Sequence, residues 1–217
     1  MSEEEIILLI TRELQNPTLG VTESYLEAHQ PAISDGKIKI DRIDTEGTPN
    51  SAIVYVPVDG EYFHLAVYVD LEEKCVTGVG TESFNRLCFR ATSEQYTLEE
   101  LKGFTTLQAT QGWRKGDLRK GTNVPYNFSS IEFMPNPEPD EFEDKLRKLL
   151  DFLEQDKEGV RHLVEKANGW LVASMDFHNG NGMLGGMRID NTSIKRMEKL
   201  NLSIEFDLYA SGNAFQE

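Results

Sequence analysis

The chain has 217 residues and two cysteines, with 22 Lys and Arg against 37 Asp and Glu, a formal net charge of −15. That length buries a core without disulfides or metals and suits one domain or two small ones. The acid excess argues against a nucleic-acid binder or a protein held on an anionic membrane, since both need a basic face.

Taken in chain order, Glu3 to Gln15 predicts a helix, with Ile6, Leu9, Ile10 and Leu14 on one face. Asn16-Pro17 ends it, because the residue before proline is pushed out of helical geometry. Thr22 is read as the cap of a second short helix, Glu23 to His29, closed by Pro31. The period then changes to two. Lys37 to Ile43 alternates strictly, and Ala52 to Val58, Tyr62 to Val69 and Cys75 to Val79 follow as strand-like runs. Asp59-Gly60 is the clearest hairpin signal among them.

A second series restarts at Asn85 to Thr92. Thr97 and Glu100 have the spacing of a capping box. Residues 108–127 read as a loop rich in glycine and cations, and Ser130 to Met134 as a strand. The proline turn 135–139 feeds what reads as the longest helix, Asp140 to Gln155, with Phe142, Leu146, Leu149, Leu150 and Leu153 on its apolar face. A helix over 157–167, a strand from Trp170 to Phe177 and a glycine-rich connection from His178 to Gly186 follow. Met187 to Ile189 reads as a short strand, Asn191 as the cap of a helix through Lys199, and Leu202 to Tyr209 as a closing strand. The pattern predicts an α+β fold with mostly antiparallel sheets and helices packed on one face. Two lobes are expected: an acidic helix plus antiparallel meander over residues 1–83, and an α+β domain over 84–217.

From about residue 85 to 210 the chain resembles a bacterial family of unknown function, domain-of-unknown-function family 4279. The matching segments are Arg86-Leu87-Cys88-Phe89-Arg90-Ala91-Thr92, Gln111-Gly112-Trp113-Arg114-Lys115-Gly116-Asp117, the leucine-rich Asp144 to Leu150, and Leu200 to Tyr209. The last of these is the more specific. The resemblance brings no catalytic residues with it. By analogy of type, it implies a small cytosolic partner or immunity protein of bacterial conflict systems.

The candidate sites are weighed on chemistry. Trp113-Arg114-Lys115 with Arg119 and Lys120 is the basic cluster, and an aromatic beside cations suits stacking or an anion. A surface loop whose Trp113 plugs the core edge is the plainer reading. Asp176 and His178, at a strand end beside amides, are the residue types acid–base chemistry needs, and alternation puts both on one face. Asp207 alternates to the face of Glu205 and Tyr209; if covered, it would need Arg86 or Arg90 as partner.

The four histidines are His29, His64, His162 and His178, and none makes an i, i+4 pair. Cys75 and Cys88 have no metal-ligand spacing and are expected unbridged. No cofactor or metal is implied. The acidic start and the lack of a run of about 18 apolar residues predict a cytoplasmic protein with no membrane span.

Charge is uneven: residues 1–83 hold 5 Lys and Arg against 16 Asp and Glu, a balance of −11, and residues 84–217 hold 17 against 21, a balance of −4. The leading expectation is a non-enzymatic protein-binding protein of immunity or accessory type, whose acidic front meets a basic protein partner. A small anionic-ligand-binding domain using the Trp113 to Lys120 loop is the alternative, and an enzyme using Asp176 and His178 the third reading.

Overall fold

The computed structural model of the protein describes residues 1–179 and 186–212. Helix α1 (Glu3–Gln15) opens on a capping box between Ser2 and Glu5, and buries Ile6, Ile10 and Leu14. Helix α2 (Gly20–Ala28) starts three residues before its expected start, with Leu19 as N-cap. Thr22 is not the cap: it lies inside the first turn, and its hydroxyl donates to the carboxylate of buried Glu13. That carboxylate also accepts from the Thr18 and Leu19 amides and from the Thr18 hydroxyl. Burial opposes the Glu13 charge, but the Thr18 and Thr22 hydrogen bonds outweigh it and lower its pKa.

Strands β1 (Ile33–Ser34) and β2 (Lys37–Ile38) form a small hairpin across Asp35-Gly36, both with positive φ. The single strand expected from Lys37 to Ile43 is therefore split. The Lys39 amide bonds to Ala32, whereas that of Asp41 bonds to Tyr55, so the chain changes partner midway. Strands β3 (Arg42–Asp44), β4 (Ser51–Pro57), β5 (His64–Asp70) and β6 (Cys75–Glu82) make an antiparallel meander in that order. Asp59-Gly60 does sit between β4 and β5, with Gly60 at φ 74°, but the register Pro57 to His64 leaves a longer loop than a two-residue turn. Val54, Val56, Leu65 and Val67 alternate onto the face covered by α1 and α2.

One residue, Ser83, separates β6 from β7 (Phe84–Ser93), which enters a different sheet. Helix α3 (Leu98–Gly103) carries the expected Thr97–Glu100 capping box. Strand β8 (Gln111–Trp113) lies where a loop was expected, paired to β9 (Ser129–Phe133). Helix α4 (Phe142–Leu153) is one residue shorter than α1, contrary to its expected rank, because Glu141 is its N-cap and a 3-10 turn over Glu154–Asp156 ends it. Helix α5 (Lys157–Ala167), strand β10 (Gly169–His178), helix α6 (Asn191–Lys199) and strand β11 (Ile204–Ser211) complete the order. Asp190, not Asn191, caps α6, its carboxylate accepting from the Ser193 amide at 2.6 Å. Residues 187–189 form no strand; the Arg188 amide donates to Glu143 of α4 instead of a strand neighbour. Most of the expected glycine-rich connection, residues 180–185, lies outside the described residues.

The second sheet has the order β11-β10-β7-β9-β8, antiparallel except for β10 with β11. Its apolar face meets α3 to α6 around Phe89, Phe133, Leu146, Leu150, Leu163 and Leu171. The fold is α+β, with mostly antiparallel sheets and each sheet's helices packed against one apolar face. Cys75 is exposed and Cys88 buried, and both are free. Their strands are not paired with each other, since β6 pairs with β5, and β7 with β10 and β9. No helix among the described residues is long and apolar enough to cross a membrane.

Candidate functional site

The basic loop is a folded projection from the β8 edge. Trp113 stacks on Tyr126 with centroids 4.6 Å apart and touches Phe128. The chain then doubles back, Gly116 bonding to Tyr126 and Arg119 to Val124. Its cations are largely engaged: Arg114 pairs with Glu99 at 3.0 Å, Lys115 donates to the Glu94 carbonyl, and Arg119 lies over the Tyr126 ring. Lys120 is exposed beside Gly121 at the turn. The arrangement is a well-packed aromatic base under cations of which Arg114, Lys115 and Arg119 already have partners.

Asp176 and His178 are not brought together as an acid–base pair. Asp176 accepts from the Ser211 hydroxyl of β11 at 2.5 Å, while the His178 ring meets His29, Nε2 to Nε2, at 2.7 Å. Asp207 is exposed and needs no cation. Arg86 and Arg90, considered as its partners, clamp Glu132 instead, at 2.9 and 2.6 Å. Glu132 is almost fully buried on the polar face of β9 and also accepts from Gln111. Sequence reasoning missed Glu132, although its place between Ile131 and Phe133 put it on the non-core face.

Where the two sheets meet lies a cleft of about 390 Å³. Glu82, Ser83 and Asn85 line it from the β6–β7 crossing, Glu141 and Glu143 from the start of α4, and Phe177 and His178 from the end of β10. Asp176 is not part of its wall. Glu82 is only half-exposed by surface but is enclosed on most sides, and the Asn85 amide donates to it at 3.2 Å. Enclosure first, then the charges of Glu141 and Glu143, push the Glu82 carboxyl up to about 8. Three acidic side chains thus share a recess that favours the protonated form of Glu82.

Behind the cleft runs a buried ionic network. Asp140 accepts from Arg42 at 2.8 Å, Lys148 at 2.9 Å and Asn136 at 2.6 Å. Burial works against its charge, but the bonds from Arg42 and Lys148 win and hold its pKa down. Lys145, also buried, donates to the carbonyls of Asn136 and Glu138, and burial pushes its ammonium down to about 8. Asp44, Asp140 and Asp144 lie close enough together to ligate a metal ion. Arg42 bridges the first two and Arg147 pairs with the third, so the protein's own cations neutralise the cluster. These contacts were invisible to sequence reading, because Arg42 and Asp140 are joined only by the packing of the two sheets.

The architecture is an α+β domain on a five-stranded mixed sheet, with an acidic cleft where a second, antiparallel sheet joins it. Residues 82–211 match the model of a domain of unknown function, DUF4279, and the chain belongs to that family. Neither the curated proteins nor the solved structures include a match to it. All the cleft residues named above fall inside the family span, whereas His29 and Arg42 fall outside it.

Proposed function

We propose that the protein is a non-enzymatic binding protein of the bacterial cytoplasm, of immunity or accessory type, and that its acidic cleft receives a basic side chain of a partner protein. The cleft carries this reading. Glu82, Glu141 and Glu143 converge on one recess large enough for a lysine or arginine side chain, on a chain whose first 83 residues add a balance of −11. Approach of a cation favours the carboxylate form of Glu82, so binding should release a proton and tighten between about pH 7 and 9. The long-range part should fade with salt, as the Debye length shrinks from about 10 Å at 0.1 M to about 3 Å at 1 M.

The test is capture of a basic protein from the native host at low and high salt. We expect capture at low salt, loss at high salt, and loss in the triple variant Glu82→Gln, Glu141→Gln, Glu143→Gln. A second variant neutralises Glu3, Glu4, Glu5, Glu72 and Glu73, all exposed, and should slow association more than it speeds dissociation. Capture unchanged in both variants would overturn the reading. Dependence on Trp113 and Arg114 instead would favour the anion-binding loop, whose buried Trp113 indole nitrogen has no hydrogen-bond partner.

A further inference from the structure

Strand β11 is the outer strand of the second sheet, and it is an unguarded edge. It pairs with β10 without a register shift. The carbonyls of Ser203 and Ser211 accept from the Leu171 and Asn179 amides at 2.9 and 2.7 Å, so the odd-numbered residues turn their backbone toward β10. The amides and carbonyls of Phe206, Leu208 and Ala210 therefore point away from the sheet. Among the described residues nothing bonds to these outward groups. Leu208, Tyr209 and Ala210 are exposed, the first two by 55% and 59%.

The other edges carry the usual protections. Strands β3 and β8 have three residues each, and β6 faces a register shift at Tyr68 and Val69. Strand β11 has eight residues with neither proline nor lysine. Its charges are Glu205, which accepts from the Trp170 indole at 3.0 Å, and Asp207.

These charges decide what fits the edge in the antiparallel sense. When β11 faces a second β11 across a twofold axis, registers centred on Glu205, Phe206 or Asp207 set carboxylates directly opposite one another, which destabilises. Centring on Tyr209 leaves only 207–211 paired, since Gly212 turns out of extended geometry at φ 92°. Centring on Leu208 pairs 205–211 with no such clash. It sets Leu208 against Leu208, Phe206 against Ala210, Asp207 against Tyr209 and Glu205 against Ser211. The outward groups of Phe206, Leu208 and Ala210 then form about six backbone hydrogen bonds.

We propose that β11 is a homodimer edge: a second copy of the chain adds antiparallel to it, centred on Leu208, and joins the two five-stranded sheets into one. The inference does not depend on what the cleft binds. One strand pair buries less than the about 1,200 Å² of a stable interface, so the dimer is weak and concentration-dependent. Two chains of −15 repel, so salt should strengthen it, the reverse of its effect on capture of a basic partner.

Amide hydrogen exchange and sedimentation of the native chain, from about 10 μM to about 1 mM, are the test. The amides of Phe206, Leu208 and Ala210 should slow by about tenfold or more as dimer forms, while those of Glu205, Asp207 and Tyr209, bonded to β10, stay unchanged. The Leu208 amide faces away from β10, so Leu208→Pro should keep the fold and its thermal unfolding at about 10 μM but abolish the dimer. A chain still monomeric at about 1 mM in both low and high salt would overturn the proposal. So would outward amides already protected in the monomer, or a folded Leu208→Pro that dimerises like the native chain.

Discussion

Asp156 does several jobs with one carboxylate. It accepts from the Gly159 amide at 2.9 Å, capping α5, and from the Thr106 amide at 2.6 Å and the Thr105 and Thr106 hydroxyls, pinning the segment after α3 to the same turn. The Thr106 amide contributes most, and with the other donors it pulls the carboxyl down to about 2. Asp156→Ala should cost about 1–2 kcal/mol at neutral pH, the range of a lost helix cap, because the site is open enough for water to screen it. A folded pKa below the unfolded value means this stability is present above about pH 4 and lost as pH falls toward 2. Denaturant titrations of both chains at pH 7 and pH 2.5 should show the gap narrow. A gap equally large at low pH would contradict this account. The sequence marked Thr97 and Glu100 as a capping box because that signal is local; Asp156 was missed because Thr105 and Thr106, which donate most of its hydrogen bonds, lie about 50 residues upstream.

At the scale of elements, β10 makes the most extensive strand pairings in its sheet. It pairs with β7 on one side and β11 on the other, and α5 leads into it through Asn168 in left-handed geometry. Its first residue is glycine for want of space. A Cβ on Gly169 would lie 2.7 Å from the Phe89 ring and 3.1 Å from Cα of Val164. Gly169→Ala should therefore destabilise by about 1–3 kcal/mol, as overpacking does. Phe89→Leu in the same chain should recover part of the loss, since it removes the ring that clashes; a purely additive double variant would refute the steric cause.

Most of the strands were legible from alternation, and α1 and α4 from their apolar stripes. The pairing was not. β11 runs parallel to β10, and β8 is a strand only because Gly112 lets it press against Ser130, where a Cβ would be 2.7 Å from the carbonyl oxygen. Such contacts are set by tertiary packing and leave no period in the chain. Ile33 to Ile38 was missed for a different reason: Asp35-Gly36 is a hairpin signal, but the strict alternation that follows it from Lys37 masked the turn.

For the whole molecule, the junction between the sheets is ionic where both cores are apolar, and its stability must depend on pH. Glu82 has a folded pKa of about 8, raised above the ordinary value of about 4.3, so its folded form keeps a proton that the unfolded chain gives up. Stability from this group is complete below about pH 4 and declines as pH rises through 8. Lys145, lowered to about 8 against about 10.4, behaves in the opposite sense: its stability is present above pH 10 and lost as pH falls through 8. Between pH 4 and 8 the Glu82 penalty grows while that of Lys145 is already in place. Glu82→Gln should keep the bond from Asn85 and remove the ionisation. It should then be more stable than the native chain by on the order of 2–4 kcal/mol at pH 8, with the difference vanishing near pH 4. Thermal unfolding of both chains across that range measures it. If the cleft receives a cation, the same substitution should weaken binding at pH 8, where the native carboxylate is available. A more stable protein that binds its partner less well is the combined outcome expected of a strained binding residue. Glu82→Gln that is no more stable at pH 8 than at pH 4 would show that the carboxylate finds enough solvent to ionise freely, and would remove the physical reason for singling out this cleft.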